Sequence, residues 1–482
     1  MGARAASAAA AVAAMGLVVV ALTLLPARVG DRAATLYVWE MAAITVVSMV
    51  IVLWRLDPAI TLSAAIFLTP FAGNWPALGV PGAVSPDRLL LAAGILSVLL
   101  RAPPIADRPR LRITATHWLL ALAAVYALAS ALVARTLFQD GPFLLIVDAF
   151  GIMPFLLFLV APLAFRTTQQ RRVLLGTLVA LGAYVSLTVI FAAAKLDALV
   201  FPKYILDPHY GIHAQRGRGP FADAVANGVA CYTCAVACAI AVASWRSRGM
   251  RALAIAIGIL CVAGSFLSQE RSVWIGVVLG TSVAMLATRG LHHYLLPVAL
   301  AIVVAIAGSL ALIPGFSQEV HARVTDRGAL WDRKNVTRAA VNMVEARPLF
   351  GFGWSRFTHD SADYFQQAFD YPLTTTRLGV HNTPLGYAAD LGLVGMTLWV
   401  LGVVAGVGSA LATRGPPDLV PWRVGLLAIA TASVVVLNSV PPTTWLNRSL
   451  WLLAGVVYSG RYIAADISHL PLHWPVGRVE RS

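Results

Sequence analysis

The sequence predicts an all-α, polytopic integral membrane protein with about 12–14 transmembrane helices and a large, partly helical extracytoplasmic loop. First, hydrophobic residues make up 59% of the chain and charged residues only 12%, against roughly 25% charged residues in soluble domains. Second, apolar runs of membrane-spanning length, joined by short basic connectors, fill most of the chain. Third, one long polar segment, 314–382, interrupts this pattern. Because loops on a rigid scaffold often carry function, we expect chemistry in this segment.

The apolar runs are long enough, or nearly so, to cross about 30 Å of hydrocarbon. The runs 57–72 and 86–101 are short, and a re-entrant or buried position is an alternative for them. The first run resembles a signal peptide but lacks a small-x-small cleavage site, so a retained helix is expected. We expect all helices to pack as a single membrane domain, 1–482, with the loop 314–382 inserted between them. The runs are 8–25, 35–54, 57–72, 86–101, 114–134, 143–165, 171–194, 222–245, 250–268, 271–288, 292–313, 383–411, 420–440 and 447–464.

The positions of the basic residues predict the orientation of the chain. The formal net charge of +14 would suit a nucleic-acid binder, but the basic residues lie between apolar runs, so no nucleic-acid partner is expected. With a cytoplasmic N-terminus and alternating runs, the cytoplasmic connectors hold 18 of the 36 basic residues and the short outer connectors hold 10. The positive-inside rule then places both termini, including the tail 465–482, in the cytoplasm. The loop 314–382 becomes extracytoplasmic.

The four cysteines lie inside apolar runs, with no histidine or carboxylate beside them. We therefore expect small core residues rather than a metal site or disulfides. The cysteines are Cys231, Cys234, Cys238 and Cys261.

Three polar features face the outer side in this topology. They are the segment 314–382, the connector 195–222 and the tight corner Ser268–Arg271. Because this convergence was not assumed when the topology was drawn, it indicates an outer-face site.

His381 is the candidate general base, because an imidazole titrates near neutral pH. It ends the polar segment where the chain re-enters the membrane. A helix start there would lower the imidazole pKa and keep the ring neutral. The alternative is a structural, hydrogen-bonding histidine.

Three arginines are candidates for binding an anion. Arg271 begins an apolar run, and a cation at a helix start opposes the helix dipole unless an anion binds there. The alternative is an arginine that extends towards the membrane surface. Arg216 and Arg218 lie among glycines, and such guanidinium pairs suit bidentate phosphate binding. A solvated basic loop is the alternative for that pair.

Missing motifs restrict the chemistry. There is no Gly-Lys dipeptide of a P-loop, no Asp-x-Asp, no His-Glu-x-x-His and no pair of Cys-x-x-Cys motifs. We therefore expect a reaction without ATP, without a cofactor and without a protein-held metal. An outer-face site of arginines and one histidine indicates an anionic, lipid-linked substrate whose pyrophosphate leaving group supplies the energy.

At these residues the sequence resembles the O-antigen ligase/polymerase superfamily of bacterial membrane glycosyltransferases. Arg216–Phe221 is similar to the family's Arg-x-x-Gly-(Thr/Pro)-Phe element, and Leu267–Trp274 to its Ser-x-Ser-Arg-Gly-x-Trp element. Trp331–Phe357, His381–Asn382 and Asp390–Gly395 resemble its outer loop and the helix start that follows. The resemblance covers roughly residues 210–400. Glu270 and Ser272 depart from the second of these elements. Asp390 is a third departure, because the family usually has Glu at that position.

The resemblance implies an inverting, metal-independent transferase of the GT-C kind in the bacterial inner membrane, with its active site on the extracytoplasmic side. The donor would be a glycan on undecaprenyl pyrophosphate, and the acceptor a hydroxyl of a glycan, lipid A core or protein. His381 would deprotonate or orient the acceptor. Arg216 or Arg218, with Arg271, would hold the pyrophosphate. Asn382 would be a further substrate-binding residue.

Several functions share this motif set and stay open. An O-antigen ligase of lipopolysaccharide biosynthesis, a polymerase of lipid-linked repeat units and a protein O-oligosaccharyltransferase all fit. A transporter or flippase of lipid-linked or anionic substrates is the alternative of a different class. It would favour ionisable groups near the membrane midplane and internal repeats. Glu40 and Asp148 instead fall towards the outer ends of their runs, and no repeat is visible.

Overall fold

The described part of the computed structural model consists of helices and turns, with no strand among the described residues. The predicted runs 8–25 and, almost entirely, 35–54 lie outside these residues, as does the predicted tail 465–482. The described residues are 44, 48, 51, 56–80, 85–100, 113–212, 214–312, 316–325, 328–366 and 379–463.

Each predicted apolar run from 57–72 onward coincides with a helical segment. Within the described ranges, eight helices are long and apolar enough to cross a membrane, and Pro58–Phe71 and Arg271–Ala287 are shorter apolar helices. The predicted all-α, polytopic membrane fold is thereby confirmed. In chain order the helices are α1 (Pro58–Leu68), α2 (Pro86–Leu100), α3 (Ala115–Val133), α4 (Asp140–Leu145), α5 (Ile152–Ala164), α6 (Thr168–Ala193), α7 (Ala224–Ser244), α8 (Arg248–Leu267), α9 (Arg271–Ala287), α10 (Leu295–Leu312), α11 (Phe316–Thr325), α12 (Gly328–Ala346), α13 (Phe357–Asp360), α14 (Thr383–Leu411), α15 (Val420–Leu437) and α16 (Thr444–Tyr458).

Small residues set the centre of the bundle. The membrane-spanning part of α7 is 78% buried, whereas that of α10 is only 6% buried. Helix α7 therefore lies inside the bundle and α10 at its edge. At Gly182 an added Cβ would meet Cys234 and Cys261 at 2.8 and 2.9 Å, which shows how closely α6, α7 and α8 approach. All four cysteines are buried free thiols, as the sequence predicted.

Contacts between connectors agree with the predicted alternation. At one end of the bundle, Arg171 pairs with Asp418 at 2.5 Å, joining two connectors assigned to the same side. At the other end, Asn74 donates to the Pro220 carbonyl at 3.1 Å, and the Gly217 N–H donates to the Leu267 carbonyl at 2.9 Å. We call this second end the site end. That it faces the extracytoplasmic side stays a prediction.

A buried ion network lies near the site end, beside the start of α16. Fully buried Arg448 contacts Asp87 at 2.6 Å and Asp148 at 2.7 Å. Arg88 pairs with Asp148 at 2.7 Å, and the indole N–H of Trp75 donates to Asp87. The sequence analysis counted Arg88 and Arg448 among the basic residues of the short outer connectors and their helix edges. Their carboxylate partners come from distant helices, and the pairing offsets the cost of burying each charge.

The polar segment 314–382, which we call the outer segment after its predicted side, is partly helical, as predicted, through α11, α12 and α13. Its residues 314–315, 326–327 and 367–378 lie outside the described ranges. Helix α12 packs on α14 through an apolar cluster that includes Val336, Ala340, Val380 and Ala389. This packing fixes the outer segment against the residues just before and within α14.

Helix α14 is broken at Gly392, whose φ of 68° and ψ of 179° are not helical. The 348–354 loop fills the break: the Phe352 N–H donates to the Ala389 carbonyl at 3.0 Å, and the Leu393 N–H donates to the Pro348 carbonyl at 2.7 Å. A Cβ on residue 392 would lie 2.1 Å from the Leu349 carbonyl oxygen, so only glycine fits. At a rise of about 1.5 Å per residue, the length of α14 after the break approaches the thickness of a membrane. The part before it belongs to the site end.

Candidate functional site

Arg216 and Glu270 form an ion pair that joins two of the predicted polar features. The Arg216 side chain is 15% exposed and that of Glu270 only 3%. The Gly217 backbone lies against the corner, and a Cβ there would come within 2.6 Å of the Leu267 carbonyl oxygen. Glycine therefore allows the loop to approach closely enough for Arg216 to reach Glu270.

Arg271 is the first residue of α9, as the sequence predicted. It follows Glu270 directly, so Arg216 and Arg271 lie at the same corner of the site end. The corner is rigid: the Trp274 indole donates to the Phe266 carbonyl at 3.1 Å and stacks on the Phe266 ring. The helix dipole of α9 favours an anion at this point.

Arg218 is buried, and its guanidinium donates to three backbone carbonyls, those of Ile205, Asp207 and Tyr210. Burial lowers the pKa of Arg218, and nearby Asp207 acts in the opposite direction. These bonds hold the preceding loop in shape. Of the two candidate arginines in this motif, Arg216 is therefore the more accessible to a ligand.

His381 lies two residues before α14, and Asn382 is the N-cap of that helix. The Asn382 side chain accepts from the Leu385 N–H at 2.9 Å, and its amide donates to Asn438 at 3.4 Å. Asn382 therefore orients the chain that carries His381. Substrate binding by Asn382 stays a prediction.

The surroundings of His381 favour the neutral form of its ring. Burial lowers the pKa of His381, and the positive charge of Arg333 lowers it further. The Gly379 backbone, Glu270 and Asp332 act in the opposite direction. The buried Nδ1 makes no hydrogen bond of ordinary geometry within the described residues. The sequence thus predicted the direction of the shift, but its leading cause is burial rather than a helix start.

These effects also locate residues that the sequence analysis did not assign. Arg333 and Asp332 lie on the first half of α12, near His381, and Val336 one turn later packs in the same cluster as Val380. For Asp332 and Arg333, the sequence signal was the cluster of charges at 332–334 in a chain poor in charge.

Asp223 caps α7 by accepting from the Val225 N–H at 2.8 Å. Burial raises the pKa of Asp223, and the neighbouring charge of Glu270 raises it further.

Asp390 holds the residues directly after the 348–354 loop, which fills the α14 break. Its carboxylate accepts from the Phe357 N–H at 2.8 Å and from the Ser355 N–H at 3.0 Å. Trp354, next to this pair, donates to the Pro142 carbonyl and accepts from the Thr136 hydroxyl. The motif Asp390–Gly395 is thus a structural latch between α14, the outer segment and the end of α3.

Taken together, the fold and the site define a class: an all-α, multi-pass membrane protein in which two arginines, a carboxylate and a neutral histidine meet at one end of the bundle. Such a site can bind a polyanion and remove a proton beside it.

Residues 254–400 match the sequence model of the O-antigen ligase family. This domain supports the O-antigen ligase/polymerase superfamily, and the family predicted from the motifs is confirmed. The matched region contains Arg271, Arg333 and His381, whereas Arg216 precedes it and reaches Glu270 through the fold. No curated protein matches the chain. Together with the membrane-spanning helices, this domain supports an O-antigen ligase/polymerase-like membrane glycosyltransferase, a family that implies lipid-linked glycan and acceptor partners.

Proposed function

We propose that this protein transfers a glycan from undecaprenyl pyrophosphate to an acceptor hydroxyl, with inversion at the sugar carbon and without a metal ion. The observation that carries the proposal is the meeting of Arg216, Glu270 and Arg271 at one corner, within the electrostatic reach of His381. We further propose that the helices act as a single membrane domain in the bacterial inner membrane, with the site end extracytoplasmic.

In the proposed reaction, the neutral His381 ring accepts the proton of the acceptor hydroxyl. The acceptor oxygen forms a bond to the anomeric carbon as the bond from that carbon to the pyrophosphate oxygen breaks on the opposite face. The electron pair leaves with the lipid pyrophosphate. Arg216 and Arg271 stabilise the charge that develops there, and loss of one such donor typically costs about 2.7–4 kcal/mol of transition-state stabilisation. Arg218 acts indirectly by holding the loop.

Metal independence is proposed from the donor groups available. In the described ranges, no three His, Cys, Asp or Glu side chains form a group that could hold a metal ion. Guanidinium groups can instead neutralise the leaving pyrophosphate. Ligation to lipid A core is the proposed reaction, with polymerisation and transfer to protein as outcomes of the same assay.

The test is an in vitro assay with purified protein, lipid-pyrophosphate glycan and each class of acceptor, read by product mass and anomeric configuration. His381→Ala should lower single-turnover transfer by about 10²–10⁴-fold while donor binding survives. Turnover should persist in excess EDTA. Full activity of His381→Ala, or loss in EDTA that one divalent ion restores, would contradict the respective part of the proposal.

A further inference from the structure

Two neighbouring apolar side chains are exposed on the outer segment. Leu349 is 58% exposed and Phe350 is 68% exposed. They follow Pro348 in the loop that fills the α14 break, and we call residues 348–350 the tip. Single exposed apolar residues are common on protein surfaces, but a contiguous apolar patch indicates an interaction site. The surroundings of the tip indicate which partner it fits.

Hydrogen bonds attach the tip to α14 directly after the helix break. The Leu393 N–H donates to the Pro348 carbonyl at 2.7 Å, and the Val394 N–H donates to the Leu349 carbonyl at 3.3 Å. From there α14 continues for 19 residues, 393–411, without a charged side chain. At about 1.5 Å per residue this stretch is about 28 Å long, which nearly equals the roughly 30 Å of membrane hydrocarbon. The backbone of the tip therefore lies at the boundary of the hydrocarbon.

A second membrane-spanning helix gives the same level. Helix α3 packs beside α14, and the Tyr126 hydroxyl donates to the Leu391 carbonyl at 2.9 Å. It is also 19 residues long, or about 28 Å. Its end touches the loop that carries the tip, because a Cβ at Gly353 would lie 2.5 Å from the Ala134 Cβ. Two spanning helices thus reach the membrane boundary at this loop.

The tip also continues the apolar surface that the two helices present to lipid. Leu393, which is hydrogen-bonded to Pro348, is exposed, and so is Val133 at the end of α3. The charged residues Glu345 and Arg347, which precede the tip, are exposed as well. An apolar surface beside a charged one is typical of segments that lie in the membrane interface. Acyl chains are therefore the covering that fits the tip.

We propose that the tip inserts into the lipid leaflet at the site end, with Leu349 and Phe350 among the acyl chains. The tip then anchors the outer segment to the bilayer as well as to α14. Helix α12 ends at Ala346, just before the tip, and packs in one cluster with Val380, the residue before His381. The anchor thereby fixes the height of His381 above the membrane. The inference holds whichever side of the membrane the site end faces, and it does not depend on glycan transfer.

The experiment measures how deep nitroxide labels lie in the membrane. Leu349→Cys and Phe350→Cys are labelled separately in a Cys-free background, in full-length protein in phosphatidylcholine nanodiscs. Electron paramagnetic resonance compares collisions with oxygen, which concentrates in hydrocarbon, with collisions with a nickel chelate that stays in water. Thr337→Cys, exposed on α12, is the matched control for water, and Val404→Cys, exposed near the middle of the uncharged stretch of α14, is the control for hydrocarbon. Both tip labels should lie about 5–10 Å below the headgroup boundary, deeper than position 337 and shallower than position 404.

Two results would overturn the inference. Tip labels that match position 337 would place the tip in water, and tip labels shielded from both reagents would show that protein covers it. A second measurement needs no substitution: wild-type protein is irradiated in nanodiscs whose phosphatidylcholine carries a diazirine in one acyl chain. Cross-linked lipid on Leu349 or Phe350 is expected, and cross-links confined to the spanning helices would contradict the insertion. Neither readout requires transfer activity, so its failure is separate from a failure of the proposed function.

Discussion

Replacing Asp390 by Asn should loosen the 351–357 loop without unfolding the membrane helices. Each carboxylate oxygen accepts one backbone N–H, from Phe357 at 2.8 Å and from Ser355 at 3.0 Å. Asparagine keeps one acceptor oxygen but presents an NH₂ group to the other N–H. At least one hydrogen bond is lost and leaves a backbone N–H without its acceptor, which costs about 1–3 kcal/mol. The opening equilibrium of the loop should therefore rise about 5–150-fold, since 1.4 kcal/mol corresponds to a factor of ten.

The measurement is hydrogen–deuterium exchange of peptides that cover 351–357, on protein in nanodiscs. Backbone bonds between the loop and α14, such as Phe352 N–H to the Ala389 carbonyl, persist in the variant and should keep the loop attached. Exchange in the spanning part of α14 should not change.

The control is Asp360→Asn, which removes a carboxylate only one helical turn away. Its pairing with Arg356 is partly exposed, so its loss should cost at most about 1 kcal/mol and change exchange only several-fold. Unchanged exchange of the loop in Asp390→Asn, or equal acceleration in both variants, would refute the role of Asp390 as a latch.

Three further predictions concern the base, the ion network and the orientation. Because the pKa of His381 lies below its ordinary value of 6.5, kcat/KM should be flat near neutral pH and fall only below pH 6.5. Arg333→Gln removes a positive charge that lowers this pKa, so the acid limb of the profile should move to higher pH. An acid limb that stays in place would argue against this effect of Arg333. Arg448→Met removes the arginine partner of buried Asp87 and one of the two arginines that pair with Asp148. It should cost about 3–5 kcal/mol in thermal or denaturant unfolding, whereas a cost near zero would mean that the network contributes little. Thr337 and Gln169 are both exposed. In a Cys-free background, Thr337→Cys should react with a membrane-impermeant thiol reagent in intact spheroplasts, and Gln169→Cys only after lysis. The reverse pattern would show that the predicted topology is inverted.

Much of the fold was predictable because a bilayer imposes simple constraints on a sequence. Apolar runs of spanning length must be helices, and the predicted boundaries of the described runs agree with the observed helices to within a few residues. The contacts Asn74–Pro220 and Arg171–Asp418 also agree with the predicted alternation of connectors. Periodicity contains no such constraint on the outer segment, where the break at Gly392 was not foreseen.

The site was predictable as a set of residues but not as a set of pairs. Arg271 and His381 stand out because each lies at the start of an apolar run. The partners of charged residues lie far away in sequence, 54 residues apart for Arg216 and Glu270 and 361 for Arg448 and Asp87. A single sequence does not reveal such pairings. Glu270 was noticed only as a departure from a motif, and the burial of Arg218 had no sequence signal.

The pairing of the 348–354 loop with the α14 break has a consequence for protein engineering and for the divergence of related enzymes. Residues that a hydropathy profile assigns to a loop and to a transmembrane helix form one interlocked piece, in which Gly392 and the Leu349 carbonyl must match. A chimera that exchanges only the polar segment 314–382 would cut through this piece. Exchanging the polar segment between two related proteins would instead require transplanting it together with the start of the following helix, through about residue 394, which lies beyond the break at Gly392.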